Sequence, residues 1–243
     1  MERNSHNGNI HGDDETNERD MVVEIENLYR RFDDGSDTFE ALSDISLTVA
    51  RGECVILKGV SGSGKTTLLA IMAGLDRPSS GSVLVEGRAI SKLPDRHLSR
   101  FRGKHIGMIF QHYNLMEHLS VRDNVSVPLV PAGFSADEIE MMVSEAMEMA
   151  NISHKSRMEA GRLSGGEKQR TAIARAIAPG PEIVLCDEPT ANLDRANAEI
   201  FIEILGRLYE KGKTIVVATH DPIFEKLPFP SRVVEMSDGK ITE

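Results

Sequence analysis

At 243 residues, with 40% hydrophobic and 27% charged side chains, the chain can hold one large or two small domains and is too apolar to be disordered throughout. Its 28 lysines and arginines against 38 aspartates and glutamates leave a net charge of −10, so no broad nucleic-acid-binding face is expected. No apolar run approaches the ~18 residues of a membrane-spanning helix, and no segment reads as a secretory signal, so any membrane role would come through a partner.

Residues 1–20 are polar and aperiodic. Six acids (Glu2, Asp13, Asp14, Glu15, Glu18, Asp20) against two bases (Arg3, Arg19) give them −4, and they read as a disordered leader whose His6 and His11 are solvated. From Met21 the pattern changes. Met21–Phe32 and Ala41–Ala50 alternate apolar and polar residues, as half-buried antiparallel strands do, around an Asp33-Asp34-Gly35 turn. Cys54–Leu57 is a continuous apolar run suited to a strand buried on both faces, and a helix over Thr66–Ala73 follows. Gly81–Gly87 and Ile106–Phe110 read as further strands. Ser135–Asn151 is an amphipathic helix: Ser135 and Glu138 have capping-box spacing, and Ile139, Met142, Val143, Ala146 and Ala150 share a face. Its methionines Met141, Met142, Met147 and Met149 suit core packing or an adaptable surface.

A helix over Gly166–Ala178 ends at Pro179-Gly180-Pro181. Ile183–Cys186 and Thr214–Thr219 are two more buried strands, separated by a helix over Arg195–Lys211. A hairpin around Ser237-Asp238-Gly239 closes the chain. Buried strands alternating with helices predict an α/β protein with a mostly parallel sheet and an antiparallel strand set near its start. The stretch from about 112 to 162 interrupts the alternation and reads as an inserted helical subdomain within one domain over 21–243. Cys54 and Cys186, each inside an apolar run, read as buried free thiols.

Three segments carry chemistry. Gly59-Val60-Ser61-Gly62-Ser63-Gly64-Lys65-Thr66 fits G-x-x-x-x-G-K-[ST] between a strand and a helix, the context a phosphate loop needs. Its backbone N–H groups would cradle phosphate oxygens at a helix N-terminus. Lys65 would reach the β- and γ-phosphates, and the Thr66 hydroxyl would ligate Mg²⁺. Ile183–Cys186 ends in Asp187-Glu188, which puts two carboxylates at the same sheet edge: Asp187 for the Mg²⁺ shell, Glu188 to polarise an attacking water. Leu163-Ser164-Gly165-Gly166-Glu167 opens a helix with exposed N–H groups and forms a second anion site. Gln111 and His220 each follow a predicted strand, and His220 has reach toward a γ-phosphate.

These residues stand in the order found in ABC-type ATPase domains, a resemblance that covers 21–243 and includes Pro189-Thr190 and Ala191-Asn192-Leu193-Asp194. It implies a P-loop NTPase fold and ATP and Mg²⁺ as ligands. It implies nucleotide contacts from Gly59 through Thr67, Gln111, Ser164, Gly165, Gly166, Glu167 and Asp187, with Thr66, Gln111 and Asp187 around the metal. Lys65, Glu188 and His220 are the implied catalytic groups. It further implies a head-to-tail homodimer with each ATP between one chain's Lys65 loop and the other's Ser164–Gly166, with Asp194 helping assembly. Gln111 would link the nucleotide to a separately encoded membrane permease, and the chain would sit on the cytoplasmic face of the inner membrane. Gly107–Gln111, Tyr113-Asn114-Leu115 and Asn124–Leu129 resemble the macrolide-exporter and lipoprotein-release subgroup. Two departures stand out. Position 167 is Glu where the family mostly has Gln, and the adenine-stacking aromatic is Phe32 rather than Tyr, with Tyr29 as the other candidate. A mechanical, non-transport ATPase acting on a membrane partner shares the same chemistry.

Overall fold

The computed structural model describes residues 21–33, 35 and 37–242; the expected leader lies outside the described residues. The chain opens with β1 (Met21–Asp33), β2 (Thr38–Ala50) and β3 (Cys54–Lys58), then α1 (Lys65–Met72), β4 (Ser80–Val85), β5 (Arg88–Ala89) and α2 (Asp95–His105). β6 (Ile106–Ile109), α3 (Val121–Ser126), α4 (Ala136–Met149) and α5 (Gly165–Ile177) follow. The chain closes with β7 (Ile183–Asp187), α6 (Arg195–Glu210), β8 (Thr214–Thr219), β9 (Arg232–Ser237) and β10 (Lys240–Ile241).

Two sheets result. β2-β1-β4-β5 is antiparallel throughout, and β10-β9-β3-β8-β7-β6 is parallel except for the β9–β10 hairpin. The continuous apolar runs are explained by the second sheet, which is covered on both sides. Val55, Leu57, Leu185, Val216 and Ala218 belong to a core shared with α1 and the antiparallel sheet. Their neighbours Cys54, Ile56, Val184, Cys186, Ile215 and Val217 face the opposite way, into a core shared with α3 to α6. Cys54 and Cys186 are free and buried on strands that flank β8, about two strand spacings apart and beyond disulfide reach. Burial pushes the Cys54 thiol up to about 12 and the Cys186 thiol higher still.

Residues 112–162 hold α3, α4 and three single 3-10 turns, packed on α5. Within α4 the methionines divide: Met147 enters the core and Met141 is exposed. The structure departs from the pattern reading where apolar signal is thin. β2 begins at Thr38 rather than Ala41, because Thr38, Phe39 and Glu40 pair with β1 while leaving their side chains largely exposed. α2 buries only Leu98 and Phe101, too few for a period to show. The carboxyl ends of β3, β6, β7 and β8 lie on one edge, so the loops that follow them converge there.

Candidate nucleotide site

The loop 59–64 leaves β3 and turns straight into α1. Gly64, with φ +99°, is the left-handed residue that allows this, and a Cβ there would lie 2.7 Å from the Ala41 carbonyl oxygen of β2. Lys65 is 5% exposed, and its Nζ donates to the carbonyls of Gly59 (2.7 Å) and Val60 (3.0 Å) with Glu188 Oε1 at 3.4 Å. A buried ammonium that has only its own loop and one carboxylate for partners is a cation ready to exchange them for phosphate. Among the described residues the buried Ser63 hydroxyl has no hydrogen-bond partner.

β7 sets the acids. Thr66 Oγ1 donates to Asp187 Oδ1 at 2.9 Å, joining the head of α1 to the end of β7. Burial raises the Asp187 carboxyl above the usual range, an effect that the Thr66 hydrogen bond opposes. Thr66 and Asp187 are hard oxygen donors of the kind that hold Mg²⁺ together with substrate phosphates, which needs few protein ligands. Glu188 follows in a left-handed conformation (φ 43°), its N–H donating to the Ala218 carbonyl at 2.8 Å. Its Oε2 lies 3.0 Å from His220 Nδ1, so the groups after β7 and β8 meet.

Ser61, Gly62, Ser63, Gly64, Lys65, Thr66, Thr67, Gln111, Glu188 and His220 thus line one cleft of about 290 Å³, with Phe39 and Ala41 on its wall. The Gln111 carbonyl accepts from Asn192 Nδ2 at 3.2 Å. Ser164, Gly165, Gly166 and Glu167 are absent from that wall. Ser164 caps α5, and a Cβ on Gly166 would lie 2.0 Å from Asn197 Oδ1, so a larger residue where α5 meets the start of α6 would push that side chain aside. Asp194 caps α6 through the Asn197 N–H, which holds its carboxyl below the usual range. Phe32 is 42% exposed under the Arg30 guanidinium (4.2 Å to the ring centroid) and outside the cleft wall; Tyr29 lies near Arg31. Phe39, opposite Phe32 in the β1–β2 ladder, lines the cleft and was missed in the sequence, where it stands just ahead of the alternating run.

Comparisons with known proteins place the chain in a family. A family profile described as "ABC transporter" matches residues 42–191. The lipoprotein-releasing system ATP-binding protein LolD of Bordetella pertussis is 40% identical over 228 residues, covering 93% of this chain and 98% of that one. The chain belongs to the ABC transporter ATP-binding protein family. A dimeric ATP-binding cassette, MJ0796 with ADP and Pi, superposes with a TM-score of 0.84 at 35% identity, covering 91% of this chain and 97% of that one. The macrolide export ATP-binding/permease protein MacB of Salmonella typhimurium is 39% identical over 220 residues, 90% of this chain but only 34% of that longer protein. The narrower likeness to macrolide-export and lipoprotein-release proteins rests on these relatives. As an ABC ATPase, the chain has the antiparallel sheet, the mostly parallel sheet and the helices of that fold. Among the described residues no helix is long and apolar enough to cross a membrane.

Proposed function

We propose that two copies of this chain pair head-to-tail, close on two ATP molecules, and use hydrolysis to drive a separately encoded membrane permease. One observation carries this reading. The cleft gathers Lys65, Thr66, Gln111, Glu188 and His220, with Asp187 tied to it through Thr66, while the second anion site, at the head of α5, lies outside it. A cleft of about 290 Å³ is also slightly smaller than the roughly 300–1,000 Å³ of pockets that enclose whole ligands. A second copy's Ser164–Gly166 would complete it.

Within the shared site, Lys65 neutralises the β- and γ-phosphates while the N–H groups of residues 59–66 hold their oxygens. Thr66, Asp187 and Gln111 would hold Mg²⁺ through their oxygens, and the ion would supply charge that offsets the negative charge building on the phosphates. Glu188 orients the attacking water and accepts its proton; His220, 3.0 Å away, steadies Glu188 and faces the γ-phosphate. Phe32 stacks on adenine, as the resemblance implies, and Phe39 covers the cleft from β2.

Coupling to a membrane partner is supported by a groove of about 420 Å³ beside the strand that delivers Gln111. Met108, Phe110 and Val127 make its surface apolar, and Arg175 at its edge donates to the carbonyls of Tyr113 (2.6 Å) and Asn114 (2.5 Å). Those two consecutive left-handed residues follow Gln111 closely, so a segment seated in the groove would bear on the nucleotide. Under this reading the chain works on the cytoplasmic face of the membrane. The test is Glu188→Gln with saturating ATP and Mg²⁺. Turnover should fall about 10²–10⁴-fold, the worth of a positioned base, while light scattering reports a dimer. A monomer under those conditions would overturn the reading.

A further inference from the structure

Two helices of this chain begin with the same capping box, and the pair forms an internal control. On α4, Glu138 Oε2 accepts from the Ser135 N–H (2.7 Å) and hydroxyl (2.7 Å), while the Glu138 N–H donates to Ser135 Oγ at 3.4 Å. On α5, Glu167 Oε2 accepts from the Ser164 N–H (2.9 Å) and hydroxyl (3.0 Å), and the Glu167 N–H donates to Ser164 Oγ at 3.4 Å. The α4 box is complete with no cation, for among the described residues no lysine or arginine pairs with Glu138. On α5 one is added. Lys155, at the end of the 3-10 turn Ser153–Lys155, puts its Nζ 3.0 Å from Glu167 Oε1, the oxygen that the box leaves free.

Capping therefore does not require Lys155. What separates the two helices is their task. The head of α5, with Gly165 and Gly166 behind its cap, is the one assigned above to the γ-phosphate of a second copy's ATP. A carboxylate at a helix start favours the helix but repels an incoming anion. Protonation offers no relief: the Ser164 N–H and Lys155 together hold the Glu167 carboxyl down to about 2. Neutralisation has to come from a neighbour.

We propose that Lys155 is a positioning residue of the shared nucleotide site: it cancels the charge of Glu167 and pins its free oxygen, so that the second copy's phosphate meets the positive end of α5. The proposal rests on the head-to-tail reading, and it makes the glutamate at position 167 tolerable where the family mostly has an uncharged glutamine.

The test is a double-mutant cycle in the Glu188→Gln protein, reading the ATP-dependent dimer dissociation constant by light scattering over a dilution series. Lys155→Met should weaken the dimer about tenfold, because each dimer contains two such pairs. Lys155→Arg should stay within about twofold, since the charge is kept. In a Glu167→Gln background, Lys155→Met should shift the constant by less than about twofold, because no carboxylate remains to neutralise. An equal loss in both backgrounds would make Lys155 a mere brace between the turn and α5 and would overturn the proposal, as would a Lys155→Met protein that dimerises like its parent. A parent that stays monomeric would instead overturn the shared site itself, and this proposal with it.

Discussion

The start of α1 and the start of α5 both offer backbone N–H groups to an anion, but only the first is furnished with chemistry. Around α1 lie its own buried Lys65, the Thr66–Asp187 hydrogen bond, and the Glu188–His220 pair, the carboxylates and the histidine brought in by the ends of buried strands. Around α5 there is a serine cap, two glycines and a carboxylate paired with Lys155, and none of the groups of the first cleft. Under the head-to-tail reading the two ends are complementary halves: α1 would supply reactivity held by a rigid sheet edge, and α5 would supply shape and positive potential to a substrate delivered by a second copy.

Glycine substitutions should break the two halves separately, and they carry the largest expected effects. Gly64→Ala forces a Cβ against the β2 backbone at a φ of +99°. It should lower ATP affinity of the isolated chain more than about tenfold, the cost of one strained residue. Gly166→Ala must displace Asn197, which accepts from Arg170 and donates to Asp194. It should leave that affinity within about threefold yet weaken the ATP-dependent dimer more than about tenfold, a displacement worth about 1–3 kcal/mol. Titration with a fluorescent ATP analogue and light scattering separate the two outcomes.

The capping boxes sharpen the comparison at smaller magnitude. Ser135→Ala and Ser164→Ala each remove a helix cap worth about 1 kcal/mol, a melting shift of about 2–4 °C for a chain of this size, measurable by calorimetry. Only Ser164→Ala should also weaken the ATP-dependent dimer.

Acid reaches the α5 half through Glu167. The folded Glu167 value, about 2, lies below its ordinary 4.5, so its contribution to stability is present above pH 4.5 and is lost as pH falls toward 2. Glu167→Gln should therefore lose less stability than the parent between pH 5 and 2.5, as read by urea unfolding.

Most of the α1 half was legible in the sequence, because Asp187, Glu188 and His220 follow apolar runs that read as buried strands. Lys65 was legible from the glycine-rich motif between a strand and a helix. The α5 half was legible as a helix start, but its Lys155 partner was not: a contact between an exposed turn and a cap twelve residues on leaves no periodic trace. Phe39 escaped for a related reason, since a strand end with exposed side chains does not alternate. α2, with two buried residues, and the Arg175 bonds to Tyr113 and Asn114 were hidden in the same way. Burial writes itself into sequence patterns, whereas pairing between exposed groups does not.

Mixing two defective chains tests the shared site most directly. Lys65→Ala removes the charge that meets the γ-phosphate, and Ser164→Arg fills the head of α5. A mixed pair then contains one site with both defects and one intact site, which joins the phosphate loop of the Ser164→Arg chain to the Ser164 of the Lys65→Ala chain. With a donor dye on one protein and an acceptor on the other, ATP should produce energy transfer that neither protein gives with itself. No gain in mixed-pair signal, at concentrations where the Glu188→Gln protein dimerises, would contradict the account.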